Sequence, residues 1–85
     1  MNRTKTNPLV IAKAKATAVR YIEIVVDNNA VEAVREDLVL RDGESVYYEL
    51  LDTLTELFPL LPISEDEQST IANEALIVLK TIFGN

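Results

Sequence analysis

Apolar residues recur at steps of three and four along most of this chain, and this spacing places them on one face of an α-helix. The pattern is clearest between residues 45 and 58, where Val46, Leu50 and Leu54 fall on the side opposite Glu49. With only two glycines and three prolines among 85 residues, the chain also has little material for turns. A few long helices are therefore expected, and the predicted fold class is all-α.

Local signals place the helix boundaries. Asn7 followed by Pro8 is typical of a helix start, Asn29 is predicted to cap the second helix, and Ser64 with Glu67 has the spacing of a capping box. Asp37 is predicted to face water. The expected structure is a compact four-helix bundle-like domain over residues 1–85, frayed at residues 1–6, with helices at about 8–27, 30–41, 45–58 and 65–83.

Residues 38–47 allow a second interpretation. Asp42 and Gly43 can form the two-residue turn of a β-hairpin, or Gly43 can end one helix before the next begins. The helical interpretation is favoured because the flanking segments are both helical and an isolated hairpin is only marginally stable.

The residue inventory argues against catalysis. The chain has no histidine and no cysteine, so the usual general base, the usual zinc ligands and disulfides are all missing. Glycine occurs only at positions 43 and 84, which leaves no phosphate-binding loop. We therefore expect a protein that is not an enzyme and that has no catalytic residues, no metal site and no cofactor.

The charge distribution bears on partners and location. A net charge of −6 disfavours nucleic acid and anionic membranes and suits a basic protein partner. Lysines interrupt the apolar stretch 9–26, so no membrane span is predicted. The first residues lack the uninterrupted apolar region of a signal peptide, and the expected location is the cytoplasm.

A row of acidic residues on the third helix is a candidate partner surface. Glu49, Asp52 and Glu56 line one side of that helix, with Tyr48 beside them. The row is either an ordinary solvated face, which a neighbouring helix can neutralise through Lys13 and Arg20, or a docking strip for a basic partner. The carboxylates also argue against a DNA-reading role for this helix, because they would repel phosphates.

The element Asp42-Gly43 followed by Tyr47-Tyr48 resembles one in the small four-helix immunity proteins that inhibit nuclease bacteriocins. Those proteins are similar in length and acidity, and the matching residues cover 42–48. The resemblance implies an inhibitor that occupies a basic site on a nuclease.

Apolar residues exceed what a small domain is expected to bury. The last helix carries apolar residues almost all round, and helices of that kind belong in an interior. The first helix has a similarly broad apolar face. Either the connector before the last helix covers the surplus, or the first and last helices pair with a second copy; the second is favoured, which predicts a homodimer. The candidate self-association surface is made of Ile24, Leu60, Leu61, Leu76, Ile77 and Phe83.

The function predicted from the sequence is that of a non-catalytic, acidic interaction or regulatory protein acting through protein–protein contacts as a homodimer. The alternative is an acidic inhibitor, such as an immunity protein, an antitoxin or a phage-encoded nucleic-acid mimic, that blocks a basic site on a nuclease or nucleic-acid-binding protein.

Overall fold

The computed structural model describes residues 7–60 and 62–83. Within them the chain forms four helices and no strand: α1 Pro8–Asp27, α2 Val31–Leu40, α3 Glu44–Leu57 and α4 Glu65–Phe83. The all-α fold class is confirmed, and each helix boundary lies within one residue of its predicted position. The alternative hairpin at 38–47 is wrong, because its two arms belong to α2 and α3. The predicted fraying of residues 1–6 lies outside the described residues.

Helix α1 has well-defined ends. The Asn7 side chain accepts a hydrogen bond from the backbone N–H of Leu9 at 2.7 Å, as the predicted cap requires. At the other end Asn29 has a left-handed backbone with φ of 55°, and Ala30 N–H donates to the carbonyl of Val25 at 2.9 Å. This is a Schellman motif. Asn29 therefore ends α1 instead of capping α2, and the predicted cap is wrong.

Two successive left-handed residues turn the chain from α2 into α3. Asp42 has φ of 56° and Gly43 has φ of 80°. The N–H groups of Arg41 and Gly43 both donate to the carbonyl of Asp37, at 2.9 and 3.0 Å. A Cβ on residue 43 would lie 2.6 Å from Leu76 Cδ1, so α4 packs directly on this turn. The turn therefore needs glycine both for its backbone angle and for its space.

Helix α4 begins at the predicted cap, but only half of the predicted capping box forms. Ser64 Oγ accepts from the N–H of Glu67 at 3.1 Å. The Glu67 carboxylate does not reach back to Ser64, because it accepts instead from Lys13 Nζ on α1 at 3.3 Å. This ion pair ties the start of α4 to α1.

The core lies where α1 and α3 pack on α4. Helix α1 packs most extensively against α4, and α2 is more peripheral, with α3 as its main neighbour. Leu50, Leu54, Ile71 and Leu79 are among the largest side chains that are fully buried. No helix in the described part of the chain combines the length and apolar character needed to span a bilayer.

Candidate functional site

The acidic row on α3 is exposed, and its three carboxylates differ in their contacts. Glu49 accepts a hydrogen bond from the hydroxyl of Tyr21. Glu56 lies 4.0 Å from the Arg20 guanidinium, which also contacts Glu23 at 3.4 Å. Asp52 has no hydrogen bond or ion pair within the described residues. Arg20 thus neutralises one end of the row only weakly, and the middle of the row is left to solvent.

Tyr48 stands at the edge of this row as an exposed aromatic ring. It is 63% exposed, and its ring meets the ring of Tyr47 edge-on, with 5.2 Å between centroids. Tyr47 is half-buried, and its hydroxyl lies 3.0 Å from Ser69 Oγ on α4. The Tyr47 ring is therefore anchored and supports the Tyr48 ring. This contact keeps the amphipathic Tyr48 side chain at the surface.

The predicted self-association surface does not form one patch. Leu76 is buried at 8% exposure because it packs over Gly43, so its assignment to a surface is wrong. Ile24 is half-buried, and Phe83 is half-buried against the core. Leu60 and Ile77 are exposed, at 93% and 57%, while Leu61 lies outside the described residues. On α4, Leu76 and Leu79 are covered within the chain, whereas Ile77 and Ile82 are 57% and 54% exposed.

Exposed apolar side chains also occur on the other helices, among them Val39 and Leu40 on α2, at 66% and 71%, and three residues of α1. Leu9, Val19 and Val26 are between 57% and 66% exposed, on the side of α1 that faces away from the core. Sequence reasoning expected surplus apolar surface on this helix but named only Ile24, although the seven-residue spacing of Val19 and Val26 could have shown that they share a face.

A cleft of about 560 Å³ lies between α1, α2 and α3, next to the acidic row. Its buried lining residues, which form the floor, include Tyr21, Val25, Asp37 and Val46. Exposed lining residues form its rim, and they include Glu36, Arg41, Glu49 and Asp52. The predicted acidic surface and this cleft thus share Glu49 and Asp52.

Tyr21 joins the floor of the cleft to the acidic row. Its burial raises its pKa, and the hydrogen bond to Glu49 and the negative charges of Glu49 and Asp37 raise that pKa further. The hydroxyl therefore stays protonated and donates to Glu49. This contact fixes one rim carboxylate above the floor.

Asp37 is the functional candidate that sequence reasoning missed. It was predicted to face water, but it is 8% exposed, and its Oδ2 accepts from the backbone N–H of Val46 at 3.1 Å. It thereby caps α3 from a different helix, since the residue at the N-cap, Gly43, has no side chain. Its other oxygen, Oδ1, is buried without a hydrogen-bond partner among the described residues.

Both the acidic row and the cleft are electronegative surfaces. Carboxylates dominate both the row and the cleft, yet among residues 7–60 and 62–83 no group of acidic residues is arranged to hold a metal ion. The arrangement suits ammonium or guanidinium groups, which bring their own hydrogen-bond donors.

No protein-family model matches the sequence, and no curated protein and no solved structure matches the chain. The resemblance to immunity proteins therefore rests on residues 42–48 alone.

Proposed function

We propose that this protein is a non-catalytic interaction protein that binds a basic surface on a protein partner through the acidic face of α3. That face consists of Tyr48, Glu49, Asp52 and Glu56. The observation that carries the proposal is the exposure of Tyr48 beside carboxylates that the cations among residues 7–60 and 62–83 leave largely uncompensated. The expected compartment is the cytoplasm, on the sequence alone.

The physical roles within this face differ. An exposed tyrosine supplies contact area at a low entropy cost, and such aromatic residues often anchor interfaces. Uncompensated carboxylates attract a basic partner over several ångströms and align it before contact. The same combination fits the inhibitor form of the proposal, in which the basic surface is a nucleic-acid-binding site and the acidic face takes the place of phosphates.

The test is capture of partners from a cell lysate with matched baits. Wild-type protein is compared with the double variant Asp52→Lys/Glu56→Lys and with Asp27→Lys/Glu65→Lys, which makes the same charge change at exposed positions that have no ion pair with the acidic face. We expect the wild type and this control variant to retain the same partner and the α3 variant to lose it. Binding is also expected to weaken as salt is raised, because exposed charges are screened within about 8 Å at physiological ionic strength. Equal capture by all three baits would refute the proposal.

Homodimerisation is a second candidate, and the apolar face of α1 favours it. Leu9, Val19 and Val26 offer exposed apolar side chains that a second copy would cover. Light scattering should then report twice the chain mass of 9.5 kDa, and Val19→Lys should return the protein to the monomer mass. A wild-type protein that stays at 9.5 kDa at micromolar concentration would rule this candidate out.

A further inference from the structure

The cleft between α1, α2 and α3 has a buried acceptor at its floor that the described chain does not use. Asp37 is 8% exposed and lines the cleft, and its Oδ1 has no hydrogen-bond partner among residues 7–60 and 62–83. Its other oxygen is already engaged with the N–H of Val46. Buried polar atoms in folded proteins nearly always have a partner, either a protein group or an ordered water, so a donor that reaches the floor of the cleft can take this position.

The charges around the cleft select a cation. The lining includes the carboxylates of Glu36, Asp37, Glu49 and Asp52 and the single guanidinium of Arg41, which leaves a formal charge of −3. Arg41 is exposed and makes no ion pair with any described residue. A cationic group that enters the cleft is therefore attracted by the rim before it reaches Asp37.

The walls add a requirement for apolar contact. Ile24, Val25, Val34 and Val46 line the same cleft, and three of them are buried. A ligand with an aliphatic stem and a charged head satisfies both the walls and the floor. Arginine fits better than lysine, because its planar guanidinium is more weakly hydrated and presents several donors in a fixed geometry.

We propose that this cleft binds an arginine side chain presented by the basic partner. The inference rests on the proposed function for the source of the arginine, and it names the group that the acidic face recognises. Bound there, the guanidinium donates to Asp37 Oδ1 once the side chains that cover this oxygen shift, because it has almost no accessible surface. The rim carboxylates offset the charge of the guanidinium. The aliphatic stem packs on the valines of the floor.

The experiment is an NMR titration of the ¹⁵N-labelled full chain, which needs no partner. The probe is N-acetyl-L-arginine N-methylamide, compared with its citrulline analogue, which has nearly the same shape and no charge. We expect saturable shifts at the Val46 amide and at residues lining the cleft, with a dissociation constant on the order of 1–10 mM, typical of one small cationic group. The citrulline compound should cause no saturable shift. Equal effects of the two compounds, or shifts away from the cleft, would overturn the inference.

Two further ligands test whether the cleft prefers arginine over lysine and whether it binds a side chain or a free amino acid. The lysine analogue should bind about tenfold more weakly, because an ammonium is more strongly hydrated and lacks the fork of donors. Free L-arginine should bind no tighter than the capped compound. If only free arginine binds, the cleft recognises an amino acid and not a side chain of a partner, and the inference fails.

Variants identify the acceptor. Asp37→Asn retains an oxygen for the Val46 N–H but removes the charge, and it should weaken arginine binding by about tenfold, the scale of one charge-assisted hydrogen bond. Glu32→Gln, one turn away on α2 and outside the cleft, should leave binding unchanged. If Asp37→Asn does not fold, Glu36→Gln/Asp52→Asn on the rim should weaken binding by about threefold or more. Unchanged binding in the folded cleft variants would contradict the inference.

The result of the arginine titration can be distinguished from the result of the capture experiment that tests the proposed function. Arginine binding without capture of a basic partner upholds the cleft and refutes the α3 face as a docking surface. Capture that depends on Asp52 and Glu56, without arginine binding, does the reverse.

Discussion

At Gly43 the addition of a single methyl group should destabilise the fold for reasons that the structure identifies. Its φ of 80° is left-handed, and a Cβ there would lie 2.6 Å from Leu76 Cδ1 and 3.2 Å from Leu38 Cδ2. We expect Gly43→Ala to lower the free energy of unfolding through two separate effects. The left-handed backbone costs a non-glycine residue about 1–2 kcal/mol. The crowding adds about 1 kcal/mol, because the nearest atom is a terminal methyl that has some freedom to move.

The expected total for Gly43→Ala is thus a loss of about 2–3 kcal/mol, measured by urea unfolding followed by circular dichroism. A double-mutant cycle with Leu76→Ala separates the two effects. Removing the leucine methyls relieves the crowding and leaves the backbone cost, so Gly43→Ala should cost about 1 kcal/mol less in the Leu76→Ala background. A loss below about 0.5 kcal/mol in the wild-type background would refute the account of this turn.

Three further predictions concern the other ends of helices and the cleft. Asp37→Ala should cost about 1–2 kcal/mol in urea unfolding, because the buried Val46 N–H loses its acceptor, while Asp37→Asn should keep most of that stability; equal losses would contradict the capping role. Asn29→Ala should lower stability by about 1 kcal/mol and Asn29→Gly should raise it by about 0.5 kcal/mol, since φ there is 55°; matching effects of the two changes would exclude a backbone origin. Because the pKa of Tyr21 is raised in the folded state, the folded chain keeps this proton after the unfolded chain has lost it, so stability falls as pH rises above about 10. The stability of wild type relative to Tyr21→Phe, from urea unfolding at pH 9 and above, should therefore shrink as pH rises, and parallel curves would show that Tyr21 does not contribute.

The positions of the helices could be predicted because their causes are local. Asn7 bonds two residues ahead, and Ser64 bonds three residues ahead. The apolar period of α3 likewise selects Leu50 and Leu54 as core residues from spacing alone. Caps and periodicity act within one or two turns, so the sequence contains them whatever the neighbouring helix is.

The exposure of the acidic row could also be predicted, and the structure places Tyr48, Glu49, Asp52 and Glu56 at the surface. Their role in binding stays a prediction. The homodimer and the absence of catalysis likewise stay predictions.

Burial depended on which helix covers which face, and sequence periodicity does not contain that information. Leu76 is buried because the α2–α3 turn packs on it, and Asp37 is buried because α3 begins beside it. Asn29 ends α1 because its left-handed backbone lets the N–H of Ala30 donate to the carbonyl of Val25. The sequence determined four helices and an acidic exterior through short-range backbone and solvation preferences. The cleft and the buried Oδ1 of Asp37 exist only because α1, α2 and α3 meet in space. Contacts between residues distant in sequence decide which polar groups are removed from water.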